Sequence, residues 1–205
     1  MKNKILTFIV VLSTIYLLRS IVFFYLADIA YNKNDLPSAI ALNPTEPIYY
    51  SRLGLLLSQQ NDPKAISYSN IAASISPANI NILKERAQTF FNLSSLDSNY
   101  YLNSLDTLEK ISKKLAPTDA KIFWTIGQFL QAASKDDEAI TFYKKAISLK
   151  DNYDDAHFSL AKIYLSQKKY NLARPELEKT LTIAPQNSEA QALLYSLPAS
   201  DKSAP

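Results

Sequence analysis

Four prolines set a period in this chain. Pro44, Pro77, Pro117 and Pro185 stand 33, 40 and 68 residues apart; 68 is twice 34, and Asp151 falls where the missing beat belongs. Ten residues past each beat stand Gly54, Ala87, Gly127 and Ala161, so both glycines of the chain lie in one phase. Three residues beyond that slot come Leu57, Phe90, Leu130 and Tyr164, and four before it come Tyr50, Leu83, Phe123 and His157. Counted backward, five residues before each beat lie Ala39, Ala72, Ser112, Ala146 and Thr180, all small. Twelve before lie Asn32, Ala65, Leu105, Ala139 and Ala173. Self-similarity at this period marks a stack of two-helix units. Two antiparallel helices nest only where small side chains let their backbones approach, and large apolar neighbours fill the space beside the crossing. Proline then ends the second helix, because it lacks an N–H and clashes with the preceding turn. With only 2 Gly in 205 residues, tight hairpins of a sheet protein are disfavoured as well. The prediction is all-α.

The first segment follows a different rule. Residues 5–27, ILTFIVVLSTIYLLRSIVFFYLA, carry a single charge, Arg19. As a helix this run matches the roughly 30 Å hydrocarbon core of a bilayer. Fifteen of its residues are Ile, Leu, Val or Phe, each favourable by about 0.3–0.6 kcal/mol at the helix centre, against about 2.5–3.5 kcal/mol of cost for one Arg. Insertion therefore wins, and Arg19 snorkels to the nearer interface. Two other readings fit the same run: a cleavable signal peptide, for which Tyr25-Leu26-Ala27 is a poor cleavage site, and a buried core helix. Lys2 and Lys4 precede the run and only Lys33 follows closely, which predicts a cytoplasmic N-terminus and an extracytoplasmic body.

Charge and composition exclude several functions. Lys2, Lys4 and Arg19, with no acidic residue among the first 27, account for the whole net charge of +3. The body is neutral, whereas a nucleic-acid surface needs concentrated positive charge. No cysteine exists to form a disulfide, thiolate metal site or nucleophile. His157, the single histidine, occupies a slot filled elsewhere by Tyr50, Leu83 and Phe123 and reads as a packing residue; no second His or Cys completes a zinc site. The glycines are too far apart for a phosphate-cradling loop. Asp136-Asp137 and Asp154-Asp155 read as helix N-terminal acids rather than catalytic pairs. No catalytic residue, cofactor or metal is expected.

The units AKIFWTIGQFLQAASKDDEAITFYKKAISLKDN (120–152) and DAHFSLAKIYLSQKKYNLARPELEKTLTIAPQN (155–187) resemble tetratricopeptide (TPR) repeats. The first matches at Phe123, Ile126, Gly127, Leu130, Ala139, Tyr143 and Ala146, the second at Leu160, Ala161, Tyr164, Ala173, Leu177 and Pro185. The likeness covers residues 46–187, with a partial unit before it. It implies a right-handed α-solenoid of antiparallel helix pairs behind one transmembrane helix. The expected division is an anchor at 1–27, a partial repeat or linker at 28–45, a solenoid with a closing helix at 46–197, and a disordered tail at 198–205. Three departures are visible: about six extra residues near 93–99, Arg86 in a usually apolar position, and Pro175 near the fourth residue of a helix capped by Asn171.

In such a stack the exposed side of each first helix lines a concave face. By spacing, that face holds Lys84, Gln88 and Phe91, then Lys121, Trp124, Gln128 and Gln131, then Asp155, Phe158 and Lys162. Trp124 stands about 100° round the helix from Phe123, so the two cannot both be core; the alternative for Trp124 is partial burial against the next helix. The carboxylate clamp of one TPR subset needs Lys, Asn and Arg where this chain has Trp124, Gln128, Phe158 and Ser159, so no clamp is expected. The implied function is a non-catalytic, membrane-anchored scaffold that binds a protein or peptide partner. Two alternatives remain. Residues 26–54 are also similar to the junction in bacterial O-antigen ligase-like membrane glycosyltransferases, of which this chain would be a detached tail. A cleaved first segment would instead leave a secreted repeat protein.

Overall fold

The computed structural model describes residues 2–198, with side chains from Val10 onward; of the expected tail at 198–205, residues 199–205 lie outside them. Among the described residues there is no strand. Eleven α-helices follow one another: α1 Lys2–Asn32, α2 Leu36–Leu42, α3 Pro47–Gln59, α4 Lys64–Ile75, α5 Ile80–Asn92, α6 Ser98–Lys110, α7 Ala120–Ala132, α8 Asp136–Leu149, α9 Asp154–Ser166, α10 Tyr170–Ile183 and α11 Ser188–Ser196. They form two compact units that divide between Thr107 and Leu108. In the first, α1 packs on α2 and α3 on α4; in the second, α7 packs on α8 and α9 on α10.

The small-residue slots are the helix crossings. Ala39, Ala65, Ala72, Ala87, Ala139, Ala146, Ala161, Ala173 and Thr180 are all fully buried. A Cβ at Gly54 would stand 3.0 Å from the backbone oxygen of Ala65, and one at Gly127 would stand 2.5 Å from the Tyr143 ring. The prolines fall just after the second helices: α2, α4 and α10 end on Leu42, Ile75 and Ile183, two residues before Pro44, Pro77 and Pro185. At the silent beat, α8 ends on Leu149 in the same way.

Turns inside the units need a left-handed residue, and the chain has no glycine to give them. Asn34, Asn61, Ser134 and Lys168, each the second residue after a first helix, take φ of 57–62°. The following amide reaches back five residues in every case: Asp35 to Ala30 O, Asp62 to Leu57 O, Lys135 to Leu130 O and Lys169 to Tyr164 O. This closes the orphan carbonyls of the helix end. Between units, side chains cap the next helix: Asn79, Asp119 and Asn187 accept from the backbone of α5, α7 and α11.

Three expectations change, and the extra residues of the third unit find their place. Leu105 is not a crossing residue; Ser104 is, fully buried with its hydroxyl donating to Ala87 O at 2.9 Å. The cause is a π-turn over Ile111–Leu115 that absorbs one extra residue before Pro117. Asn32 belongs to the end of α1, and α2 starts only at Leu36. The extra residues of the third unit mostly lengthen its second helix, with a short 3-10 turn at Leu93–Ser95 whose Leu93 is buried. Finally, Asn171 caps nothing: α10 starts at Tyr170 and Pro175 lies inside it. Pro175 has no N–H to offer the Asn171 carbonyl four residues back, and Asn171 is exposed, so that carbonyl is open to solvent.

Helix α1 runs unbroken from Lys2 through Asn32. From Val10 to Asn32 it is long and apolar enough to cross a membrane, by length and composition, and only 6% of that window is buried in the protein. Its last turns are part of the first unit. Ala27 is fully buried beside Ala39 and Tyr49, and the Tyr49 hydroxyl donates to Asp28 Oδ1 at 2.8 Å. Burial, then the Asp28 bond, push the Tyr49 phenol up to about 12. At the other end α11 covers Ala161 and Leu177 with Ala190, Leu193 and Leu194.

Candidate functional site

Within the second unit, the first helices α7 and α9 lie side by side. Their outer faces bring Trp124, Gln128, Gln131, Asp155, Phe158 and Lys162 around one open cleft. A neighbouring cleft shares Trp124 and Asp155 and adds Lys121, Lys150 and Tyr153. The spacing explains why: on one helix, residues three or four apart share a face, and on adjacent first helices, residues 34 or 35 apart stand abreast. Thus all seven residues expected from this unit border the two joined clefts.

Trp124 is half-buried and central to both. It packs with Phe123 around Ala120, Ala146, Tyr153 and Ala156, so both aromatics are partly buried; the fully buried side chain of that turn is Ile122. Its indole N–H donates to Ser159 Oγ at 3.1 Å, and the Ser159 hydroxyl in turn donates a hydrogen bond to the backbone carbonyl of Asp155 at 2.7 Å. The Tyr153 ring tilts against it with centroids 5.9 Å apart. These bonds fix the indole in one orientation and leave the rest of its face toward the cleft. Beneath, the buried Tyr143 donates to Gln131 Oε1 at 2.8 Å, which sets the Gln131 amide. Burial pushes the Tyr143 phenol up to about 12, so it stays a donor at neutral pH.

Charge is mixed at the rim. Lys162 lies 5.3 Å from the Phe158 ring centroid and 3.2 Å from Glu189. Lys150 lies 4.9 Å from the Tyr153 ring centroid. Asp155 makes no ion pair within 4 Å among the described residues; desolvation first, then Asp154, hold its carboxyl above the usual range. The clefts thus combine rigid aromatic surface, two amides and opposite charges at the edge.

In the first unit, Lys84, Gln88 and Phe91 share α5 and are all half-buried. Gln88 is committed to its own helix: its amide donates to Asn92 Oδ1 at 2.7 Å, and Asn92 donates to Ser58 Oγ at 2.9 Å. A second rung joins the same pair of helices, with the Ser51 hydroxyl donating to Glu85 Oε2 at 2.5 Å. Both rungs link residues 34 apart, a signal present in the sequence as polar residues recurring at the repeat length. Arg86, the odd charge, donates to Asn70 Oδ1 and Thr107 Oγ1 and covers the Phe90 ring, and burial lowers its pKa. His157 is buried as expected for its slot, but its bonds are polar: Nδ1 is 2.6 Å from Glu176 Oε2 and Nε2 is 3.0 Å from Asp151 O. It ties α9 to α10 and to the turn before it. Tyr153 and Lys150 escaped the spacing argument because they lie at the turn, where the helical period carries no information.

Residues 130–197 match the tetratricopeptide repeat family. The chain is 24% identical over 159 residues to the BBSome complex member BBS4 homolog of Drosophila melanogaster, covering 72% of this chain and 31% of that protein. It thus spans about a third of that relative's length. Among solved structures it resembles MamA, with a TM-score of 0.63, 18% identity, and 88% and 97% of the two chains covered. It also resembles YrrB, described as a TPR protein with an unusual peptide-binding site, with a TM-score of 0.59, 16% identity, and 83% and 89% covered. At such identities the likeness is one of fold.

Proposed function

We propose that this chain, which carries tetratricopeptide repeats, is a non-catalytic scaffold that is tethered to a membrane by α1 and binds an extended protein segment in the Trp124 cleft. The observation that carries the reading is the convergence of Trp124, Gln128, Gln131, Asp155, Phe158 and Lys162 on one open surface. A tryptophan held by a hydrogen bond loses little entropy on contact, which is the character of an interface hot spot. The peptide-binding site named for YrrB supports the same use of the fold.

The tether reading draws on the exposed apolar length of α1, and on Ala27, whose burial in the first unit makes a cleavage beside it costly. With Lys2 and Lys4 ahead of the span, the body faces away from the cytoplasm. Trp124 is the sole tryptophan, so its fluorescence reports on this cleft alone. A photo-crosslinker at Gln128 in the full-length membrane-bound chain captures the partner for mass spectrometry. Binding of the captured segment shifts the emission, and Trp124→Ala weakens it more than about tenfold. Unchanged affinity in that variant removes the cleft from the function.

A further inference from the structure

A second pocket lies on the first unit, where α1 passes the turn between α2 and α3. Arg19, Phe23 and Phe24 form one wall, and Leu42, Asn43 and Thr45 the other. Three features set it apart from a chance groove. Arg19 has no carboxylate within 4 Å among the described residues, and its guanidinium stands 5.3 Å from the Phe23 ring centroid. Asn43 is only 7% exposed, a polar side chain buried against an otherwise apolar helix. Thr45 donates to Asn43 Oδ1 at 2.9 Å, which satisfies the amide oxygen and leaves the amide NH₂ as the group on offer. The pocket therefore presents one permanent cation and a fixed neutral donor, with no acid, beside aromatic surface.

Its height is informative. Among the described side chains of α1, Ala27 is the first that is fully buried, and Arg19 lies eight residues nearer the N-terminus, about 12 Å along the axis. The headgroup layer of one leaflet is roughly 5–8 Å thick. With the repeat body resting on that layer, the backbone at Arg19 lies about 4–7 Å inside the hydrocarbon, and the long side chain carries the guanidinium back up toward the headgroups, where lipid phosphates lie. Beyond it, Val10, Val11, Leu12, Ile15 and Tyr16 are all exposed.

We propose that this pocket binds the phosphate of one anionic phospholipid, Arg19 supplying charge and Asn43 a hydrogen bond, with the lipid's glycerol and acyl start against Phe23 and Phe24. The proposal rests on the membrane reading of α1. It changes the role of Arg19 from a charge tolerated in the span to a ligand that fixes how deep the helix sits.

The test uses full-length protein in vesicles of phosphatidylcholine with phosphatidylglycerol, followed by native mass spectrometry of lipids retained in detergent. Wild type is expected to keep one phosphatidylglycerol in preference to phosphatidylcholine. Arg19→Gln is expected to lower that preference about fivefold, the equivalent of about 1 kcal/mol for a basic group at an anionic surface. Arg19→Lys should retain part of it, and both variants should still float with vesicles after carbonate. An unchanged preference in Arg19→Gln overturns the lipid site alone. Displacement of the lipid by inorganic phosphate marks a free-anion site and overturns it too. A wild-type chain that fails to float overturns the membrane reading and the lipid site together.

Discussion

At the scale of single residues, this chain uses glycine and the left-handed backbone separately. Its glycines sit in regular helix, where a Cβ would strike the facing helix, and its left-handed turns carry Asn, Ser and Lys. Opposite signs follow for two exchanges. Gly127→Ala gains about 1 kcal/mol of helix propensity but drives a methyl into the rigid, buried Tyr143 ring, an overpacking cost of roughly 1–3 kcal/mol. Overpacking wins, and the variant melts lower. Lys168→Gly relieves a left-handed strain of about 1–2 kcal/mol at an exposed turn, against less than that in unfolded-chain entropy, and melts higher. Thermal melts of the pair check both signs. A Gly127→Ala loss that persists undiminished in a Tyr143→Leu background would show that the crossing is not what the glycine serves.

At the scale of elements, the proline beat fixes where second helices stop, and small residues fix where helices cross. The one place where the phase slips, at Leu105, is where α6 runs into the π-turn. Crossing residues Ala65, Ala139 and Ala173 stand twelve before their beat, whereas Ser104 stands thirteen before Pro117. If the π-turn is one surplus residue in an α-helix, deleting the exposed Lys114 keeps both flanking faces in register and restores regular hydrogen bonding. We expect that deletion to shift the melting temperature by no more than about 3 °C, near the 1 kcal/mol scale for a chain of this size. Deleting Asn70 from α4, which has no surplus, throws Ala65 and Ala72 out of phase and should unfold the first unit, as circular dichroism will show. Hydrophobic period thus revealed the fold down to individual crossings, because crossings obey the helical repeat. The cleft was legible for the same reason: Trp124, Gln128, Phe158 and Lys162 are helix-face positions. What escaped were polar partners supplied by another element, as for His157, whose tie to Glu176 no single helix periodicity contains.

At the scale of the whole molecule, one helix carries two different stretches. The exposed apolar stretch of α1 and the turns that close the first repeat belong to the same 31 residues, with no break between. Helix α2 has only seven residues, far too few to persist alone, so its stability comes from α1 and α3 on either side. The helix proposed as the tether is therefore also the first helix of the partial repeat. Truncations at two points separate these roles. Removing residues 1–22 deletes most of the apolar stretch but leaves Ala27, Asp28 and Tyr31 against Ala39 and Tyr49; the product should leave the membrane fraction and remain folded. Removing residues 1–32 also strips the Tyr31–Tyr49 stacking at 5.2 Å and the Asp28 bond, exposing Tyr49 and Leu36. Losing one aromatic contact and one hydrogen bond costs about 2 kcal/mol, so the longer truncation should melt roughly 4–8 °C lower than the shorter one. Equal melting temperatures would mean that α1 is an appended anchor, and that the repeat array begins only at α3.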